Sequence, residues 1–415
     1  MSPHFDTLII GAGVIGSAVA RALGESDLGS VLVIDPSLKG ERSSSELNAG
    51  GVRATWSQDH HIEASIETIE YFSRHKEETG YRDVGYLWLK NSAQVNQTQS
   101  NLTKWKDFHW PVETWSRAQI KSKYPWMDRV EDIEEAWFAP RDGLVNPNLV
   151  KSFYRLNAAQ FPKVVFRDRT VLLGVSKKGG GDLFEVTLGY LRLQQNDYAQ
   201  SLIVEVEHLE SPDKYFEKIE TVTTSRLVNC AGAWASLVCK RMGYERPSRA
   251  IRRQISLFDC RGVSSENLGM IVDTSGVYFH PEADYFLSGF ADPLEPTSYS
   301  FAYDGDGFFD EKIWTPLSQR SSHFESLRHV TGWSGLYEVS PDENAFAGEV
   351  LDSSLNSGGQ IYEAHSFSGH GVMHSYSVSE QLVKQMKGEQ TARWFRPLSG
   401  SRAALGQWNH EHAVI

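Results

Sequence analysis

Three glycines, Gly11, Gly13 and Gly16, followed by Asp35, carry the strongest chemical signal in the chain, within the stretch FDTLIIGAGVIGSAVARALGESDLGSVLVID at residues 5–35. A G-x-G-x-x-G turn lets a pyrophosphate reach backbone N–H groups at a helix N-terminus, where side chains on the glycines would block it. An acid about twenty residues further on can accept the ribose hydroxyls. The flanks agree with this reading. Residues 8–10 read as a buried strand, 17–23 have helical periodicity, and 31–34 read as a second strand ending at Asp35. The unit binds a dinucleotide, and on its own it serves NAD and FAD equally.

Other constellations offer less. His370 and His374 lie four apart with His365 nearby, but Gly369 and Gly371 break the spacing and no acid completes a set, so no metal is expected. The arginines Arg246, Arg249, Arg252 and Arg253 read as a solvated face with local ion pairs. No Ser-His-Asp, Cys-His or P-loop arrangement stands out, and no second G-x-G-x-x-G unit is present for a nicotinamide cofactor.

The elements that must position these residues follow from periodicity and punctuation. A Ser- and Gly-rich turn covers residues 40–57 and a helix covers 61–78. Residues 85–145 are rich in tryptophan, with a polar, exposed stretch at 91–101. A helix is expected over 147–160 and one or two strands over 163–175. Antiparallel hairpins are expected over 176–224, with a tip at 177–181 and an insertion over 190–218. A strand at 226–230 runs into the small residues of 231–234, and 255–290 alternates like a meander. A strand at 360–364, a glycine turn at 366–374 and a helix over 375–386 return to nucleotide-binding grammar.

Composition bounds the partners. With 415 residues the chain suggests two or three domains, and its net charge of −12 argues against nucleic acid or an anionic membrane surface. Cys230, Cys239 and Cys260 lack C-x-x-C spacing and read as buried thiols. No apolar run is long enough to span a bilayer, and the first strand starts within about five residues of Met1, so a cytoplasmic location is expected.

Taken together, GAGVIG with Asp35, NAGGVR (48–53), LVNCAGAWA (227–235), RRQ (252–254), GVYFHPE (276–282), GWSGLYEVSPDEN (332–344) and FSGHGVMH (367–374) resemble the D-amino-acid oxidase superfamily of flavoproteins over nearly the whole chain. The resemblance is to the branch holding sarcosine oxidases, dimethylglycine dehydrogenases and a mitochondrial FAD-dependent oxidoreductase linked to respiratory-complex assembly. It implies an α/β (α+β overall) fold, with a Rossmann-like FAD-binding domain at 1–84, 145–250 and 333–415. A discontinuous substrate domain at 85–144 and 251–332 would be built on a large mixed or antiparallel sheet. It implies FAD rather than NAD.

Position by position, the resemblance places the pyrophosphate at Gly11, Gly13, Val14, Ile15 and Gly16, and the ribose at Asp35 and Pro36. Arg42, Ser43 and Ser44 would meet phosphate and adenine-side atoms, with backbone at Val171 by the adenine. Asn48, Ala49, Gly50, Gly51 and Val52 would lie along the isoalloxazine ring, and Ala231, Gly232 and Trp234 would flank the nucleotide. Gly369, His370, Gly371, Val372 and Met373 would form the turn at the pyrimidine edge, where helix N–H groups stabilise charge on the reduced flavin. Arg53, Tyr337 and His370 are the implied catalytic residues, Arg53 as a cation and Tyr337 as a phenol over the substrate.

Departures from the family pattern matter as well. Asn48 and Gly335 stand where relatives carry the histidine or cysteine that bonds the flavin, so FAD is expected to be noncovalent. Met373 and Leu287 replace two lysines of the sarcosine oxidases, which weakens the expectation of a sarcosine-type substrate and of a fast oxidase. The expected activity is C–N oxidation of an amine or amino acid of N-methyl, secondary or imino type, with oxygen or a redox partner as electron acceptor. The alternatives are a 2-hydroxy acid dehydrogenase, which needs a general base, and a flavin-binding assembly factor without turnover.

Overall fold

The computed structural model describes residues 2–40, 42–178, 182–192, 214–355 and 360–413. They form two compact units, one of residues 1–46, 150–250 and 337–410, the other of 47–149, 251–336 and 411–415. The expected division assigns 47–84 to the nucleotide domain. In the structure those residues cluster with the second unit, whose sheet they pack on through Ala49 and Gly51.

The first unit is built on a sheet of order Phe346–Glu349, Ile361–His365, Phe216–Asn229, His4–Ile10, Val31–Ile34, Val164–Arg167. All of these strands run parallel except the first. Leu8, Ile9, Leu32 and Val33 have no exposed surface, as expected where helices cover both faces of a parallel sheet. The strand Phe216–Asn229 serves twice. Its start pairs antiparallel with the hairpin strand Phe184–Leu191, which continues to Thr170–Lys177, and its end joins the parallel sheet. Pairing of Tyr190 with Lys218 shows that the expected insertion is shorter than 190–218, and its remainder at 193–213 lies outside the described residues. Of the hairpin tip expected at 177–181, residues 179–181 also lie outside them.

Two helices open beside this sheet. Val14–Glu25 begins three residues earlier than its periodicity suggests, because the glycine turn itself enters the helix. Gly371–Met386 likewise takes in residues that read as turn. The two pack together, with Arg21 paired to Glu380.

The second unit holds an eight-stranded mixed sheet. Its order is Arg328–Val339, Arg249–Asp259, Tyr285–Gly289, Tyr278–Glu282, Met270–Val272, Tyr86–Lys90, Glu135–Ala139, Glu113–Trp115. Alternation along the strands gives it two faces. Leu87, Leu89, Phe258, Ile271, Phe279 and Phe286 join the main hydrophobic core together with Ile120, Phe308, Phe309, Ile313 and Phe324. The other face carries Tyr86, Trp88, Met270, Val272, Tyr278 and His280. The polar stretch 91–101 forms two helices, Ser92–Thr98 and Ser100–Asp107, the first closed by a capping box from Asn91 to Gln94.

Among the described residues no helix is long and apolar enough to cross a membrane. All three cysteines are buried and free.

Candidate nucleotide and substrate sites

In the first unit, the glycine turn is held by close backbone contact. A Cβ on Gly16 would lie 1.9 Å from the Gly11 carbonyl oxygen, and one on Gly11 would lie 2.3 Å from the Cys230 oxygen. The strand end at Cys230 therefore presses the turn against the helix Val14–Glu25. Ala12 donates its N–H to Asp35 Oδ2 at 2.7 Å, and Ser37 N–H reaches Oδ1 at 2.8 Å. Burial pushes the Asp35 carboxyl above its ordinary pKa against these two donors. Val14 N–H is taken by Ser45 Oγ at 2.8 Å. The first-turn donors on Gly13 and Ile15 are of the kind a helix cannot satisfy from within.

Ser45 was not among the expected site residues, although its neighbours Ser43 and Ser44 were. A serine run does not reveal which hydroxyl turns inward. Lys151 and Glu46, which form a buried ion pair beside Gly40, were also missed. Burial, reinforced by Arg155, brings the Lys151 amine down to about 8. Nothing in the sequence links positions 105 residues apart in this way.

Val171, Ala231, Gly232 and Trp234 also belong to the first unit, as do Pro36 and Arg42. A Cβ on Gly232, whose φ is +53°, would meet nothing within 4 Å, so the chain leaves open space there.

The second glycine turn of this unit is supported by charge. Ser366 and Ser368 both adopt positive φ, +59° and +50°, ahead of Gly369 at +95°. A Cβ on Gly369 would lie 2.3 Å from the Tyr337 ring, so the phenol presses on the turn. Glu338, next to Tyr337, accepts the Ser366 N–H at 2.9 Å and the Ser248 hydroxyl at 2.9 Å. His365 contacts Ser366 Oγ at 2.8 Å through Nδ1 and Glu363 at 3.1 Å through Nε2. Arg246 completes the chain with bonds to Glu363 and Asp352. Burial is the largest single effect and opposes a charged His365 ring, but Glu338 and Cys239 together outweigh it and hold the imidazole well above its ordinary pKa.

The expected solvated face of arginines is therefore wrong for Arg246, which is 6% exposed. The buried Glu363 and the more exposed Asp352 pair with its guanidinium there. Arg252 does keep local pairs, with Glu295 and Asp304. Cys239, Glu363 and His365 converge as metal ligands would. Each, however, already serves the hydrogen-bonded chain, and Arg246 occupies Glu363 from the other side.

His370 caps the helix Gly371–Met386 through backbone alone, and its ring meets that of His374 edge-on with centroids 5.0 Å apart. Val372 and Met373 are buried in the first turn of that helix.

The second unit holds Asn48, Ala49, Gly50, Gly51, Val52, Arg53 and Gly335. The segment 48–53 lies on the Tyr86–His280 face of the sheet. His280 Nε2 contacts the Ala49 carbonyl at 2.8 Å, and a Cβ on Gly51 would meet the Tyr86 hydroxyl. Gly335 sits against Leu47, whose carbonyl accepts the Trp333 indole N–H at 3.0 Å.

Arg53 is 2% exposed, with its guanidinium 3.5 Å from the Trp56 ring centre. It donates to the carbonyls of Thr55 and Ala413. Asp142 locks the segment that follows by accepting Ala54 N–H, Thr55 Oγ1 and Trp110 Nε1. Burial pushes this carboxyl up to about 6. The role of residues 411–413 was not legible in the sequence. Glu411, fully buried, accepts from Ser57 and Gln58.

The model of the FAD dependent oxidoreductase family matches residues 6–385. FAD-dependent oxidoreductase domain-containing protein 1 of Xenopus laevis is 25% identical over 409 residues, covering 91% of this chain and 78% of that protein. Among solved structures, L-proline dehydrogenase from P. horikoshii aligns with a TM-score of 0.81 at 18% identity, over 99% of this chain and all of the other. Glycine oxidase from Geobacillus kaustophilus aligns at 0.77 and 16%, over 97% and 99% of the two chains. These two likenesses show the fold: an α/β architecture with large mixed sheets.

Proposed function

This chain belongs to the FAD dependent oxidoreductase family, and we propose that it oxidises the C–N bond of an amine or amino acid of N-methyl, secondary or imino type, using noncovalent FAD. The observation that carries the cofactor assignment is the turn at Gly11, Gly13 and Gly16. There a helix N-terminus is stripped of side chains, Asp35 stands ready for a ribose, and Gly232 leaves space. These residues fit a dinucleotide. Asn48 and Gly335 offer no atom that could bond a flavin, which supports noncovalent attachment.

When bound, FAD supplies the acceptor for a hydride from the carbon beside nitrogen. The chain's own residues bind and orient. The N–H groups that open the Gly371–Met386 helix, presented by Gly369 to Met373, would favour negative charge on the reduced cofactor. Arg53 would hold a substrate carboxylate, its charge retained at every physiological pH. The Tyr337 phenol would orient the substrate amine, which must arrive neutral for its lone pair to assist. The neighbouring structures act on amino acids by name, proline and glycine, and this supports the amine reading over a 2-hydroxy acid.

Purified protein should be yellow and should release FAD into the supernatant on acid precipitation; colour kept in the pellet would overturn noncovalent binding. N-methyl amino acids, cyclic imino acids, amines and hydroxy acids should then be tried for anaerobic bleaching. Bleaching by amines or amino acids supports the proposal. Bleaching by hydroxy acids alone, or by none, overturns it in favour of the alcohol or assembly-factor readings. Replacing Arg53 with Met should cut bleaching while leaving FAD content unchanged.

A further inference from the structure

A second cation lies near Arg53, and the reaction as proposed has no task for it. Lys90 ends the strand Tyr86–Lys90 and shares a face with Trp88. Its ammonium stands 4.6 Å from the centre of the Trp137 ring and 5.5 Å from that of Trp88. The Arg53 guanidinium stands 4.9 Å from the same Trp88 ring. The Lys90 ammonium forms no hydrogen bond or ion pair among the described residues. Glu135, its register partner, gives an oxygen to Trp137 Nε1 at 2.6 Å and makes no ion pair with Lys90.

Trp88 adds an independent sign. It is 8% exposed, and its indole N–H has no acceptor among the described residues. Buried donors are almost always satisfied, so an orphaned one beside two cations marks a place for an anionic oxygen. Burial, with Arg53 adding repulsion, lowers the Lys90 amine to about 8, and the more distant attraction of Glu135 does not offset the two.

We propose that Lys90 and the Trp88 indole N–H form a second carboxylate subsite beside Arg53, and that the substrate is a dicarboxylic amino or imino acid. One carboxylate would lie on Arg53 and the other on Lys90 and Trp88. This rests on the amine-oxidation reading. Charge-assisted hydrogen bonds from an ammonium and a largely desolvated indole give the second carboxylate its affinity. The flanking indoles keep water away from it.

The test is titration of the flavin-loaded protein with succinate, glutarate and adipate against butyrate and pentanoate at fixed ionic strength. Tryptophan fluorescence and calorimetry follow binding, and the panel is repeated with Lys90→Met, Lys90→Arg and Trp88→Phe. The best dicarboxylate should bind at least about tenfold more tightly than the monocarboxylates. Lys90→Met and Trp88→Phe should each erode that preference, and Lys90→Arg should restore most of it. Equal binding of both classes by the parent protein, or an unchanged preference in both Lys90→Met and Trp88→Phe, overturns the subsite.

Bleaching assays separate the two ideas. If N-methylglutamate and N-methylalanine both leave the flavin oxidised while dicarboxylates still bind preferentially, the amine reading fails and the subsite stands. If N-methylalanine bleaches as readily as N-methylglutamate and no binding preference exists, the subsite fails and the amine reading stands.

Discussion

At the turn 11–16 the left-handed backbone conformation falls on a glycine, Gly11 at φ +102°, whereas at the turn 366–371 two of the three left-handed positions carry serines. Each turn opens a long helix of the same unit. The first is stabilised by the absence of side chains, which lets backbone touch backbone. The second is held in a conformation its residues disfavour, by a buried chain of Glu338, His365, Glu363 and Arg246 around it. The same local demand is thus met once by composition and once by tertiary electrostatics. Strain of this kind persists only where the surroundings over-determine it.

The largest effect should come from breaking the first turn. Gly16→Ala puts a Cβ 1.9 Å from a backbone oxygen that has no freedom to move, so a loss above about 4 kcal/mol is expected. The purified variant should lack flavin and melt far below the parent. Next comes Glu338→Ala, which strands the Ser366 N–H and leaves His365 charged beside fewer acids. A loss of about 3–5 kcal/mol in denaturant unfolding is expected, since one member of a buried ionic chain is removed. If the variant unfolds like the parent, charge does not hold the second turn.

A pH series sharpens the same point. His365 has its pKa raised by folding, with Glu338 and Cys239 together overcoming the larger opposing effect of burial. Its contribution is therefore fully present below the ordinary histidine pKa of about 6.5 and is lost as pH rises through the raised value. The Tm difference between the parent and His365→Asn should be largest in mildly acidic buffer and should shrink in alkaline buffer. A difference constant across pH would assign the residue a packing role only. The smallest effect is expected of Ser368→Gly. It removes a left-handed serine whose hydroxyl makes only long contacts of 3.3 and 3.4 Å, and it should raise stability by about 1 kcal/mol.

Legibility followed the range of the interactions. Gly11, Gly13, Gly16 and Asp35 were readable because a strand, a turn and a helix adjacent in sequence impose their spacing. The parallel strand at 31–34 was readable for the same reason. Ser45 was not, since three consecutive serines are chemically identical until the fold turns one toward Val14. Lys90 carried no signal of its own within the tryptophan-rich stretch 85–145. Only the pairing of Trp88 with Trp137 sets its ammonium over two indoles.

Periodicity and glycine spacing by themselves determined the dinucleotide unit and the return of the chain to that unit near residue 360, and the resemblance carried by seven motifs implied the class of fold. These depend on local geometry, which a strand or helix writes into neighbouring residues. Tertiary structure decided which acids face His365, which hydroxyl caps the first helix, and that Lys90, Trp88 and Arg53 share one sheet face. Those outcomes depend on burial and on contacts between distant segments, and burial sets whether a charge is solvated, paired or left available to a ligand.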